Sequence, residues 1–497
     1  MNRESSLWNE DLAPVPPERR TWGQWDIAAL WVGMVICIPT YGLAAGLVAA
    51  GWPLWIALLS IALGNLVVLV PMVLNGHAGT RYGIPFPVLL RSSFGVLGAN
   101  VPALMRALVA CGWFGIQTWI GGHALYILAR ALLPAGWDLP QILPGWFGIT
   151  TGQFVAFLLF WLINVAIIWR GMESIRVLER WAAPLLLVMG LALLGWAVWA
   201  VGDLGTLLAD ADLPEGTSRP SNWTALAIGL TSAVAFWGTL ALNIPDFARF
   251  ARSQRDQVVG QAISLPTTMV FFVFIGAVVT NASFLVFGER LADPTLVIER
   301  IGGAPLLVLS MFGLAIATLS TNLAANIVSP ANDLSNLAPR RISFRAGAMI
   351  ASLVGVLIMP WKLWTDSQAY ITQWLLGYGS CLGAVGGVMI ADYFLIRRGR
   401  LSVDDLYRRG GAYEYRRGFN PLALAALALG ILPNVPGFLG AIGVIDAGVL
   451  FTTIYEWGWF VALLVAGATY TAGMKLTNQE DIHGALALDD GQRHPVR

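Results

Sequence analysis

The string Ala317-Thr318-Leu319-Ser320-Thr321-Asn322-Leu323-Ala324-Ala325-Asn326 places Ala317, Ser320 and Thr321 at i, i+3 and i+4. On a helix these share one face. Two hydroxyls and a carbonyl are hard oxygen ligands, suited to a desolvated alkali cation if a broken helix opposite supplies further free carbonyls. The same hydroxyls could instead bond back to their own helix or bridge to a neighbour. A second pair, Trp113 and Gln117, stands at i and i+4. An indole that stacks and an amide that pairs with a C=O/N–H edge suit a flat, neutral, polar ring. The alternative is that Trp113 packs and Gln117 bonds across helices. Asn326 adds another amide, and Trp237 beside Gly238 adds another indole near the middle of its apolar segment.

The elements that must position these residues are membrane helices. The 497 residues are 57% hydrophobic and 12% charged, against about 25% charged in a soluble chain. About twelve segments are long and apolar enough to cross a bilayer. Their approximate bounds are 27–50, 53–75, 100–133, 146–168, 181–201, 222–246, 260–288, 305–328, 344–360, 367–396, 420–437 and 448–473, numbered here as spans 1 to 12. With the N-terminus inside, about 24 of the 30 basic residues fall inside, including the run Arg397, Arg398, Arg400, Arg408, Arg409, Arg416 and Arg417. That is a strong positive-inside bias. The tails, 1–20 and 476–497, read as disordered.

Spans 1 and 6 are each interrupted, by Gly33 and Pro39 and by Gly238 and Pro245. Paired discontinuous helices in two halves of a chain point to a central transport site. Acidic residues sit near the expected inner ends of spans, at Asp26, Glu179, Asp246 and Asp392. This placement argues against a buried carboxylate relay and a cationic substrate. Arg106 reads as a side chain that snorkels inward. Asp203, Asp210, Asp212 and Glu215 read as solvated loop charge.

Other functions find no support. Cys37, Cys111 and Cys381 form no CxxC pair, and the four histidines have no metal-ligand spacing. The net charge of +1 gives no sign of nucleic acid. No nucleophile, base and carboxylate converge in one span, so no enzyme is expected. No ring of repeated polar residues suggests a channel.

Strings along nearly the whole chain resemble the nucleobase:cation symporter-1 family of hydantoin, allantoin, uracil and cytosine permeases. They are residues 75–87 after span 2, Gly112–Trp119 in span 3 and Leu242–Phe247 closing span 6. Ser320-Thr321-Asn322 with Ala325-Asn326 and Ser329-Pro330 follows, then Ala391–Leu395 and Asp404–Tyr407. The resemblance implies an all-α LeuT-type fold with 5+5 inverted repeats over 27–201 and 222–396, two added helices over 420–473, and tails 1–26 and 474–497 in the cytoplasm. It implies a ring substrate between Trp113 and Trp237, with Gln117 and Asn326 on its polar edge and Gly238 beside it. It also implies a sodium site of carbonyls from Gly33, Ile36 and Ala317 with the Ser320 and Thr321 hydroxyls, which favours the ligand reading of that face.

Two residues depart from the sodium-coupled hydantoin pattern: Cys37 stands for a Gln and Phe236 for a Gly. The N-terminal Asn9-Glu10-Asp11-Leu12 is more like allantoin permeases. The expected protein is a monomeric, multi-pass plasma (inner) membrane symporter of a neutral planar cyclic amide, with sodium, or a proton, as coupling ion and no other cofactor. An amino-acid/cation symporter of the same fold is the alternative.

Overall fold

The computed structural model describes residues 4–134, 138–170, 172–210, 221–364 and 369–477. Within them the chain is helical, with only isolated bridges such as Trp22 to Ala251. Eight helices are long and apolar enough to cross a membrane, or nine with one bent pair counted as a single span. These match expected spans 1–4, 7, 8 and 10–12. The other three expected spans hold shorter apolar helices, Leu187–Val201, Asn222–Phe236 and Phe344–Leu357. Large apolar side chains such as Leu66, Val70, Leu309, Phe312 and Leu464 stay exposed. In lipid that exposure is favourable, because the helices satisfy their own backbone groups.

Both interrupted spans are broken in the structure. Span 1 is two helices, Gln24–Val35 and Ile38–Ala49, bent by 55°. Cys37 between them is extended (φ −148°, ψ 163°), and Pro39 lies in the first turn of the second helix. That turn has no use for the N–H that proline lacks. Span 6 divides into Asn222–Phe236, Gly238–Asn243 and Pro245–Ala248. Trp237, at the first division, leaves the helical region (φ −91°, ψ 3°).

The broken spans lie among long straight ones. Both halves of span 1 pack on Gln254–Phe287, and Asn222–Phe236 packs on Leu54–Tyr82. Gly64 permits the second contact, since a Cβ there would lie 2.9 Å from the Leu230 carbonyl. Asn100–Leu132 packs on Ala304–Asn326 and on Thr151–Arg170. The last two spans pack on each other and on Leu376–Ile390.

Two expectations need correction. Span 8 does not end near residue 328: after Ala304–Asn326 the chain continues as Val328–Leu337. Residues 4–20 are not disordered, because Leu7, Leu12 and Val15 are buried. The Tyr407 hydroxyl donates to the Leu12 carbonyl at 2.7 Å, and Asn9 donates to the Pro339 carbonyl at 2.7 Å. Asp203 and Asp210 are exposed, as expected of solvated loop charge; Asp203 also caps Leu204–Leu208, and Asp210 accepts the Leu54 N–H at 3.0 Å. Asp212, Glu215 and the far C-terminal tail lie outside the described residues, as does the Glu179 side chain.

Candidate functional site

The break in span 1 changes which carbonyls are free. The Cys37 N–H bonds the Val35 carbonyl at 2.9 Å. The Gly33 carbonyl therefore loses its ordinary i+4 donor. The Thr321 hydroxyl reaches that carbonyl at 3.4 Å and the Ala317 carbonyl at 3.3 Å. One side chain of span 8 thus bridges the opened turn of span 1. Ser320, one residue earlier, is buried, and Ile36 is the residue at which the first helix ends (φ −77°, ψ 83°). A Cβ built on Gly33 meets nothing within 4 Å. The oxygens are neutral, hard donors of the kind that replace water around an alkali cation.

The aromatic and amide residues gather nearby. The Trp113 indole donates to the Tyr378 hydroxyl at 3.2 Å, and that hydroxyl donates to the Ala235 carbonyl at 2.8 Å, beside the break in span 6. Phe236 touches Trp113 (centroids 5.3 Å, 71°) and Trp237 (4.9 Å, 83°). Phe236 therefore sets its ring edge-to-face against both indoles. Trp237 is held from behind: its N–H donates to Asn65 Oδ1 at 2.9 Å, and Trp31 meets it edge-on at 5.2 Å. A Cβ built on Gly238 would be in ordinary contact with Tyr378 and Leu382.

Gln117 is 3% exposed, and its Oε1 has no hydrogen-bond partner among the described residues. Its amide neighbours the Cys37 thiol, which pairs with the Thr40 hydroxyl at 3.3 Å. Asn326 donates to Asn322 Oδ1 at 3.0 Å. Trp113, Gln117, Trp237 and Asn326 are all buried, at most 8% exposed.

Several charged residues lie buried among the helices. Arg106 does not snorkel: it is fully buried and bonds Asp333 Oδ2 at 3.2 Å, with Asp333 equally buried. Asp246 is buried too, its Oδ1 accepting the Phe86 N–H at 2.9 Å. Asp392 bonds Arg397 and Tyr470, at 2.8 and 2.7 Å. Buried carboxylates are therefore present. Asp333 was overlooked because it lies past the expected end of span 8, and an arginine 227 residues away is not visible as its partner. Among the described residues no three of His, Cys, Asp and Glu group as metal ligands.

Residues 14–462 match the family described as permease for cytosine/purines, uracil, thiamine, allantoin. The chain belongs to this permease family. It is 42% identical over 472 residues to the purine-uracil permease NCS1 of Arabidopsis thaliana, covering 94% of this chain and 78% of that one. It is 40% identical over 476 residues to the allantoin permease of Bacillus subtilis, covering 95% and 94%. The fold matches Mhp1, a nucleobase-cation-symport-1 family transporter solved in a closed conformation with bromovinylhydantoin bound. The TM-score is 0.76 at 28% identity, over 96% of this chain and 100% of that one. The permease is thus a multi-pass membrane transporter with the LeuT-type fold, and not an enzyme.

Proposed function

We propose that the permease is a cation-coupled symporter for a neutral planar cyclic amide: a nucleobase, allantoin or a hydantoin. The observation that carries this is the Thr321 hydroxyl, which bridges the Gly33 and Ala317 carbonyls at the break of span 1. A cation held by these oxygens with Ile36 and Ser320 would tie span 1 to span 8. The ring would stack against Trp113 and Trp237, with Gln117 and Asn326 on its polar edge. Cys37, Phe236 and Gly238 would shape the remaining walls. The purine-uracil and allantoin permeases named above support the substrate class. Sodium is the ion we favour, because every donor is a neutral oxygen and no carboxylate joins the set. A cation and a ring that stabilise the same closed state drive each other's uptake, since coupling between two sites is reciprocal.

In this reading the protein is a monomer in the plasma (inner) membrane and crosses it twelve times. Residues 27–201 and 222–396 are its inverted repeats, and the face bearing both termini is cytoplasmic. The test is thermal stabilisation of the purified protein by allantoin, hydantoin and uracil, each in sodium and in choline. Stabilisation grows with ligand concentration over Kd. A shift with one ring that increases in sodium is the expected result. A ring-dependent shift indifferent to sodium would refute the sodium site. No shift with any ring, together with one for an amino acid, would refute the substrate class.

A further inference from the structure

We infer that Asn322 sets the hydrogen-bonding polarity of the binding site, holding Asn326 so that it offers an acceptor and selects rings that bring an N–H to it. This rests on Asn326 being a contact for the ring, as proposed above. Asn322 is fully buried, with its Nδ2 facing the Phe114 carbonyl at 3.3 Å, Thr118 Oγ1 at 3.1 Å and Asn164 Oδ1 at 3.3 Å.

All three are acceptors, each for its own reason. A carbonyl can only accept. The Thr118 hydroxyl has already given its hydrogen to the Phe114 carbonyl at 2.7 Å. Asn164 has turned its own NH₂ to the Phe160 carbonyl at 2.8 Å, which leaves its oxygen toward Asn322. Reversing the Asn322 amide would set its oxygen against three oxygens, in a place with no water to relieve them. Its Oδ1 must therefore face the other way, where Asn326 donates to it at 3.0 Å. Asn326 is fixed in turn: its Oδ1 points away from Asn322, and no described residue donates to that oxygen. Two backbone carbonyls, of Phe114 and Phe160, thus dictate through two asparagines what Asn326 presents.

Gln117 is less tightly set: its Oε1 has no partner among the described residues, and its neighbour, the Cys37 thiol, can donate or accept. The Gln117 amide can turn to suit either a C=O or an N–H. The site therefore pairs one fixed amide with one adaptable amide. The fixed one matches a lactam edge: its oxygen accepts the ring N–H, and its second N–H can meet the adjacent ring carbonyl. A ring nitrogen that carries only a lone pair or an alkyl group leaves the Asn326 oxygen buried and unmatched. Asn322 is a positioning residue, acting through Asn326 without touching the ring.

The experiment uses the purified full-length permease with hydantoin or uracil, whichever binds, and the two N-methyl isomers of that ring. Binding is followed by tryptophan fluorescence for wild type, Asn322→Leu and Asn322→Thr. In wild type, capping the N–H that meets Asn326 should weaken binding about 10–100-fold relative to the other isomer, the effect of leaving one buried polar group unpaired. In Asn322→Leu the Asn326 amide is free to turn, and the gap between isomers should shrink to a few-fold even where the parent ring binds less well. A lost packing contact would weaken all three ligands alike. Asn322→Thr, whose hydroxyl can donate or accept, should narrow the gap as well and serves if the leucine variant does not fold. Equal binding of both isomers to wild type would overturn the inference, as would a folded variant that keeps the full gap. If neither parent ring binds wild type, the assignment of Asn326 to a ring falls first, and this inference falls with it.

Discussion

The Arg106–Asp333 pair permits a sharp test of how span 3 is held to the Val328–Leu337 part of span 8. Both side chains are fully buried, and a single bond of 3.2 Å joins them. Arg106 Nε and Nη2 and Asp333 Oδ1 have no hydrogen-bond partner among the described residues. Removing one member of a buried pair costs about 3–5 kcal/mol, because an uncompensated charge remains. Asp246 lies close enough to attract Arg106 after Asp333 is lost, which places Asp333→Leu near the lower end, about 3 kcal/mol. Arg106→Met leaves two carboxylates near each other, Asp333 and Asp246, and should cost more. The double variant Arg106→Met/Asp333→Leu removes both desolvated charges and should recover most of the loss, since apolar replacement of a buried pair is often neutral or stabilising. Thermal midpoints of the four purified proteins complete a double-mutant cycle. Arg106 lies 7 residues before Trp113 on the same helix, about 10 Å along its axis. Ring binding should therefore weaken in the single variants and return in the double. A double variant as unstable as the worse single, or single variants with unchanged midpoints, would refute the account.

Five further outcomes follow from the same geometry. Ser320→Ala with Thr321→Ala removes the hydroxyl that bridges Gly33 and Ala317, and sodium should then no longer enhance ring binding in a thermal-shift assay. Gln117→Ala should cost more ring affinity than Cys37→Ala, because the Cys37 thiol is already paired with Thr40 while Gln117 Oε1 is not paired; fluorescence titration of both variants decides it. Asn65→Leu leaves the buried Trp237 N–H without its partner and should weaken ring binding by about 1–3 kcal/mol in the same titration. Gly276→Ala places a Cβ 2.3 Å from the Tyr41 carbonyl and should lower the thermal midpoint through a cost of about 1–3 kcal/mol. Gly195→Ala, where a Cβ meets nothing within 4 Å, should leave that midpoint unchanged or raised.

Much of this permease can be read from local pattern. Apolar length dictates the membrane, because no other solvent accepts such helices. Gly33, Pro39, Gly238 and Pro245 mark the broken spans, because these residue types alter the backbone wherever they occur. The oxygen face Ala317, Ser320 and Thr321 follows from helical spacing alone. So does the pairing of Trp113 with Gln117. Tertiary structure decided everything that depends on which helices meet. It turned Arg106 from a snorkelling side chain into the partner of Asp333, ordered residues 4–20 through buried leucines, and set Asn65 behind Trp237 across 172 residues. It also gave Asn322 three acceptors on two other helices, and with them the polarity of Asn326. A buried polar group must find a partner, but its spacing along the chain does not say which one. In an α-helical membrane protein that partner comes from another helix, and only packing brings the two together.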